Sequence, residues 1–243
     1  MTVQVQPRSK ARPARSAFYV VVALLLIAVV AFGFSHTVSS KLIHPKTPRP
    51  WILYVHVAVF SAWMVLFIVQ SALAFAHRVA WHRRLGWFGL VLGGLVPVVG
   101  VDTALTMSRI HRAEGAMHGD ASLIVPLFDM LAFTATFGLA LLWRRRADYH
   151  RRLMLMAACG LTAAAFARFP AWLLPDKTWY VAVDAIILTA ALRDHWLERR
   201  VHAVYRFGLP LLAMGQAAAM AIELTRAPAW LAVAHVLLGP PGP

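Results

Sequence analysis

The chain reads as a succession of apolar runs separated by short basic turns. Runs over residues 17–34, 51–76, 85–107, 121–143, 153–174, 178–192 and 203–224 approach the ~20 residues a helix needs to cross hydrocarbon, the sixth being the shortest. The pattern predicts an all-α polytopic membrane helix bundle of about seven transmembrane helices. The second run, WILYVHVAVFSAWMVLFIVQSALAFAHRVAWHRRLG, carries polar or amphipathic residues at every seventh position: His56, Trp63, Gln70 and His77. That interval is almost two helical turns, so all of them share one face, over a length of roughly 30 Å. Such a seam is costly in lipid and predicts neighbouring helices on its side. In the third run Gly86, Gly89, Gly93, Pro97 and Gly100 make a small-residue face that admits a close neighbour, and Pro97 is expected to bend the helix.

The ends differ in character. Residues 1–16 hold Arg8, Lys10, Arg12 and Arg15 with almost nothing to bury, which predicts a disordered, basic cytoplasmic tail. The run after it is long for a signal peptide and lacks a clear cleavage site, so it reads as a retained span. The bundle then occupies residues 17–225, and 226–243 has too few apolar residues to cross again, predicting an interfacial or disordered tail.

Composition sharpens this picture. Hydrophobic residues make up 60% and charged ones 14%, and the mean hydropathy is +0.65, which excludes an ordinary soluble domain. The net charge of +14 is spread between the apolar runs rather than along one soluble surface, so anionic lipid headgroups, not nucleic acid, are the implied counter-charge. Alternating the turns across the membrane puts Arg78, Arg83, Arg84, Arg144–Arg146, Arg151, Arg152, Arg193, Arg199, Arg200 and Arg206 on the side of the N-terminal tail. Far fewer cations fall opposite, and this bias places the N-terminus in the cytoplasm. Cys159 is the single cysteine, so an intrachain disulfide and a CxxCH haem attachment are both excluded.

Two of the basic turns match each other: Trp81-His82-Arg83-Arg84-Leu85 and Tyr149-His150-Arg151-Arg152-Leu153. Each joins an outgoing span to a returning one, which suits either a duplicated hairpin or convergence on the same topology signal. In both turns the histidine reads as an interfacial anchor rather than a ligand.

Chemistry is concentrated in the outer half. His56, Asp102, Asp129, Arg168 and Asp184 lie on separate spans, and counting along each span sets them roughly 7–12 Å below the outer boundary. Glu223 borders the same level. Convergence of these groups on the bundle axis predicts an intramembrane site for a metal ion, a proton or a small polar ligand, with His56, Asp129 and Asp184 as the metal donors. The other reading is a buried structural network tied together by Arg168. Histidine with carboxylates suits a transition metal, while His111 and His118 stand above the cluster as further donors. A b-type haem is the rival cofactor, although His56 alone among the histidines lies deep within a span.

His56, Trp63 and Gln70, then His82-Arg83-Arg84-Leu85-Gly86, Asp129, Tyr149-His150-Arg151-Arg152-Leu153-Met154 and Arg168-Phe169-Pro170 together resemble a group of uncharacterised proteobacterial multi-pass membrane proteins. The resemblance covers about residues 51–170 and implies a location in the bacterial inner membrane. It brings no activity. The chain is also loosely similar to small membrane proteins implicated in terminal-oxidase maturation. No G-x-S-x-G, Walker loop or H-E-x-x-H is present, so nothing marks an enzyme. Besides ligand binding and haem redox work, a structural or assembly subunit of a membrane complex, or a homo-oligomer, fits the seam.

Overall fold

The computed structural model describes residues 13–45, 47–115 and 119–239. It is all-α, 82% helical, with no strand among the described residues. The helices are α1 (Pro13–Ser35), α2 (Trp51–Phe75), α3 (Val79–Ala113), α4 (Gly119–Ser122), α5 (Ile124–Leu142), α6 (Ala147–Gly160), α7 (Ala163–Phe166), α8 (Trp179–Glu198), α9 (Ala203–Thr225) and α10 (Pro228–Leu238). A short π-helical turn, Ser39–Ile43, leads into the loop before α2.

By length and apolarity, five of these helical stretches can cross a membrane: Ala17–Ser35, Trp51–Phe75, Val79–Ala113, Asp120–Leu142 and Ala203–Thr225. The fifth and sixth apolar runs depart from that standard for separate reasons. The fifth is interrupted between α6 and α7. The sixth forms a single 20-residue helix, α8, which is diluted by Asp184, Arg193, Asp194 and Glu198.

The interruption has a structural reason. Helices α1, α2, α3, α5, α9 and α8 touch in that cyclic order, and α7 closes the circle between α8 and α1. Enclosed by them, α6 packs on α1, α5, α8 and α9, and Arg152, Leu153, Leu155, Met156, Ala157, Ala158 and Cys159 are all buried. Backbone can leave the helical path at membrane depth only where protein, not lipid, surrounds it. At the break Thr162 is fully buried and its hydroxyl donates to the Cys159 carbonyl at 2.6 Å. The alanine-rich sequence around it lets backbones meet closely: a Cβ on Gly33 of α1 would run into the Ala165 carbonyl.

Other boundaries follow from local chemistry. Pro13 opens α1, so residues 13–16 are helical rather than part of a loose tail, while residues 1–12 lie outside the described chain. Helix α3 begins earlier and ends later than its apolar core, and it continues through Pro97. Its glycine face accepts Leu66 of α2 against Gly89, and Phe137 and Met130 of α5 against Gly93 and Gly100. Helices α8 and α9 end at Arg199 and Arg226, both left-handed, and Pro228 then starts α10.

Within the segment expected to be an interfacial or disordered tail, Pro228–Leu238 forms a helix. Helix α10 packs on α3 and α4. Arg109 donates to the carbonyls of Leu238 and Leu237 at 3.3 and 3.0 Å, and Arg112 donates to that of Gly239 at 2.6 Å. These bonds satisfy carbonyls that a helix C-terminus leaves open. Arg112 also grips Asp120 through two bonds of 3.1 and 2.6 Å, and the Trp230 indole donates to the Asp120 carbonyl at 3.2 Å. The bundle exterior is apolar, with Val98, Leu131, Leu142, Val181, Phe207 and Leu211 all more than half exposed, as suits a lipid-embedded protein.

Candidate functional site

The predicted outer residues are not joined to one another by hydrogen bonds or ion pairs among the described residues. Asp129 on α5 accepts a hydrogen bond from the Tyr180 hydroxyl of α8 at 2.7 Å. One turn further along α8, Asp184 accepts from the Gln216 amide of α9, at 3.1 and 2.9 Å to its two oxygens. Lys177 meets Glu223 nearer the helix ends. These contacts form a polar strip along one side of α8, in which neither Asp129 nor Asp184 forms an ion pair among the described residues.

The remaining predicted members make no hydrogen bond or ion pair with that strip among the described residues. Asp102 is exposed on α3, with only a long 3.5 Å contact from Thr106, because it lies on the flank of the face that buries Val99 and Thr103. Arg168 is not within a helix at all. Pro170 disfavours helical backbone at Phe169 and supplies no N–H of its own, so α7 stops at Phe166. The Arg168 guanidinium donates to the Ala164 carbonyl and lies 4.4 Å from the Phe34 ring centre. The His56 ring stacks on Phe60 at 3.9 Å, and its buried Nδ1 has no partner among the described residues. His56, Asp129 and Asp184 therefore do not form a metal-binding triad, and no group of three or more His, Cys, Asp or Glu among the described residues is arranged to hold a metal. His111 is exposed, and His118 lies outside the described residues.

The strongest electrostatic feature is at the other end of the bundle. Arg152 is fully buried and donates from Nε to Asp194 at 2.5 Å, from Nη2 to Glu198 at 3.3 Å and from Nη1 to the Asp148 carbonyl at 2.8 Å. A buried guanidinium is tolerated only when its donors are satisfied in this way, and the network ties the start of α6 to the end of α8.

Beside the same turns lies a cavity of about 380 Å³. Trp63, Gln70 and His77 of the seam line it, together with His82, His150 and Arg151 from the matched turns. Its apolar wall comes from Leu66, Phe67, Phe137, Leu141 and Met154. Three buried polar atoms on this lining, Trp63 Nε1, Gln70 Oε1 and Arg151 Nε, have no partner among the described residues. Trp63 is 1% exposed and is fixed by edge-on contacts with Phe133 and Phe137 at 5.1 and 5.3 Å. Buried polar groups are ordinarily satisfied by protein or by ordered water, so these three sealed atoms keep unused hydrogen-bonding capacity behind the cavity wall.

The two histidines are held alike. His82 Nδ1 donates to the Gln70 carbonyl at 3.2 Å, and the Gln70 amide returns a bond of 3.2 Å to the His82 carbonyl. His150 Nδ1 donates to the Ala140 carbonyl at 2.9 Å. Each therefore closes its own hairpin by bonding back to the preceding helix. Compared with family models, curated proteins and solved structures, the chain shows no match to any of them.

Sequence reasoning pointed the seam inward but read the turn histidines as anchors at the membrane surface. The repeated HRRL was the available signal. What hid the cavity was that its polar lining comes half from mid-helix and half from turns, which share no depth when counted along the chain.

Proposed function

We propose that the protein is a seven-span integral membrane protein of the bacterial inner membrane, N-terminus in the cytoplasm, that binds a small, mainly apolar ligand in the cavity between its two HRRL turns. The excess of arginine in the turns at that end supports its cytoplasmic placement. Exposed Trp81, Trp87 and Trp196 near the same helix ends fit an interfacial belt. The observation that carries the reading is the cavity itself: its volume falls in the range of roughly 300–1,000 Å³ typical of small-molecule and cofactor sites, and its wall is mainly apolar with a few polar side chains, Gln70, His77, His82, His150 and Arg151. An apolar body with one or two polar or acidic groups, facing Gln70 and Arg151, matches that lining.

The test uses an amphipathic dye, anilinonaphthalene sulfonate, titrated into the detergent-purified chain. A Cβ at Gly86 would sit 3.9 Å from Gln70 Nε2, in ordinary contact, so Gly86→Phe projects a ring into the cavity without a backbone clash. Gly94, whose Cβ would meet nothing within 4 Å, gives the control. Saturable dye binding in the wild type and in Gly94→Phe, lost in Gly86→Phe, is the expected result. Equal binding in all three chains would remove the cavity as a site.

A further inference from the structure

From the donor chemistry of this cavity we infer that its ligand is a haem-type iron macrocycle, held through Nε2 of His82 and Nε2 of His150. The inference rests on the cavity being the binding site and names what occupies it. Carbonyl oxygens only accept hydrogen bonds, so the contacts to Gln70 and Ala140 fix the proton of each imidazole on Nδ1. Nε2 is then the lone-pair atom in both rings, and neither Nε2 has a protein partner among the described residues. This is the arrangement in which a backbone carbonyl orients a metal-binding histidine and makes it more basic.

The separation agrees with ligation from opposite sides. Imidazole nitrogen binds metals at roughly 2 Å, so two rings facing each other across one metal have centres about 6 Å apart. The His82 and His150 ring centres are 6.4 Å apart, with the planes at 89°.

Two further facts discriminate between a bare ion and a macrocycle. No third His, Cys, Asp or Glu completes a metal group among the described residues, so a bare ion would have two protein donors only. A macrocyclic iron brings its own four equatorial nitrogens and asks the protein for the two axial positions alone. The space is also too large for an ion: at roughly 30 Å³ per water, a hydrated ion would leave most of the 380 Å³ unfilled. The apolar wall then faces the ring system. Arg151 also lines the space, with its guanidinium 3.9 Å from Glu198, and brings positive charge to the side of the cavity where an acidic substituent would sit. Each axial histidine comes from one of the matched hairpins, which gives the repeated turn a purpose that topology alone does not require.

The experiment titrates hemin into the detergent-purified full-length chain and records its absorption and electron paramagnetic resonance spectra. Two axial imidazoles give a low-spin, six-coordinate iron. His82→Gly and His150→Gly should each shift it to high spin and weaken binding by about tenfold or more. Free imidazole should restore the low-spin spectrum in both. Should either variant fail to fold, the wild-type spectrum decides: high-spin or five-coordinate hemin overturns the inference, as does a low-spin spectrum unchanged in both folded variants. Hemin rejected by a chain that still binds anilinonaphthalene sulfonate overturns the macrocycle and leaves the cavity reading standing. Rejection of both molecules overturns the two together.

Discussion

The two hairpins share a turn sequence but not an environment. In the first, formed by α2 and α3, Arg84 is exposed and lies 5.5 Å from the Trp81 ring centre. In the second, formed by α5 and α6, the matching arginine is Arg152, fully buried in its bonds to Asp194 and Glu198. The difference comes from what covers the returning helix. Helix α6 is enclosed by α1, α5, α8 and α9, and α8 supplies the two carboxylates, whereas the start of α3 faces outward. One tetrapeptide thus serves as an interfacial anchor in one hairpin and as a buried electrostatic tie in the other. Only the histidine keeps the same job in both.

The largest expected effect separates the two arginines. Arg152→Ala takes from buried Asp194 its shortest partner and leaves it the longer 3.5 Å pair with Arg193, and loss of one member of a buried pair costs about 3–5 kcal/mol. Arg84→Ala, at an exposed site, should stay within about 0.5 kcal/mol. Denaturation midpoints of the purified variants in detergent measure both. Similar losses would abolish the distinction between tie and anchor. Adding Asp194→Ala to Arg152→Ala should recover part of the loss, since the buried carboxylate that has lost its main partner is then gone.

Glycine substitutions sharpen the contrast between enclosed and open helices, and here the sign is expected to change. Gly33→Ala forces a methyl group against the Ala165 carbonyl of the enclosed segment, and overpacking of this kind costs roughly 1–3 kcal/mol. On open α3, Gly94→Ala meets nothing within 4 Å and should stabilise by up to about 1 kcal/mol through helix propensity. The same unfolding assay reports both values. Destabilisation of equal size would mean that α3 is as tightly enclosed as the α6–α7 segment.

The smallest effect concerns acid. Asp148, at the start of α6, pairs with His202 at 3.2 Å, while the matching position in the first hairpin is Ala80. Partial burial would raise the Asp148 carboxyl, but hydrogen bonds from His202 and from the backbone N–H groups of Asp148 and Tyr149 outweigh it and hold the group below the ordinary aspartate range. A lowered value in the folded state contributes stability that is complete above the unfolded value of about 3.9 and fades as pH falls through the folded one. The carboxylate is half exposed, so the contribution is below about 1 kcal/mol. Comparing unfolding midpoints of the wild type and Asp148→Asn as pH drops below about 4 should show the two curves converging.

How much of this the chain declared in advance depends on the kind of signal. Helix identity was legible wherever apolar residues ran unbroken: the 51–76 and 203–224 runs correspond to α2 and α9 almost to the residue. The inward face of the seam was legible too, because Trp63 and Gln70 repeat at a helical interval. Arg168 falls beyond the end of a helix because Pro170 follows two residues later, a stop signal the sequence carries. Asp102 illustrates a different limit. Depth along a helix can be counted from sequence, but the direction of a side chain around it depends on neighbours, and one residue's rotation separates exposed Asp102 from buried Thr103. Arg152 was counted among turn cations because nothing local distinguishes it from Arg84. Its partner Asp194 is 42 residues away.

The grip of Arg109 on α10 has a bearing on biogenesis. A ribosome delivers α3 well before the carbonyl of Leu238, which is 129 residues later. Until then Arg112 is held by Asp120 but Arg109 has no carbonyl to grip, and a nascent bundle truncated ahead of α10 would present that guanidinium to whatever quality-control machinery surveys unfinished membrane proteins.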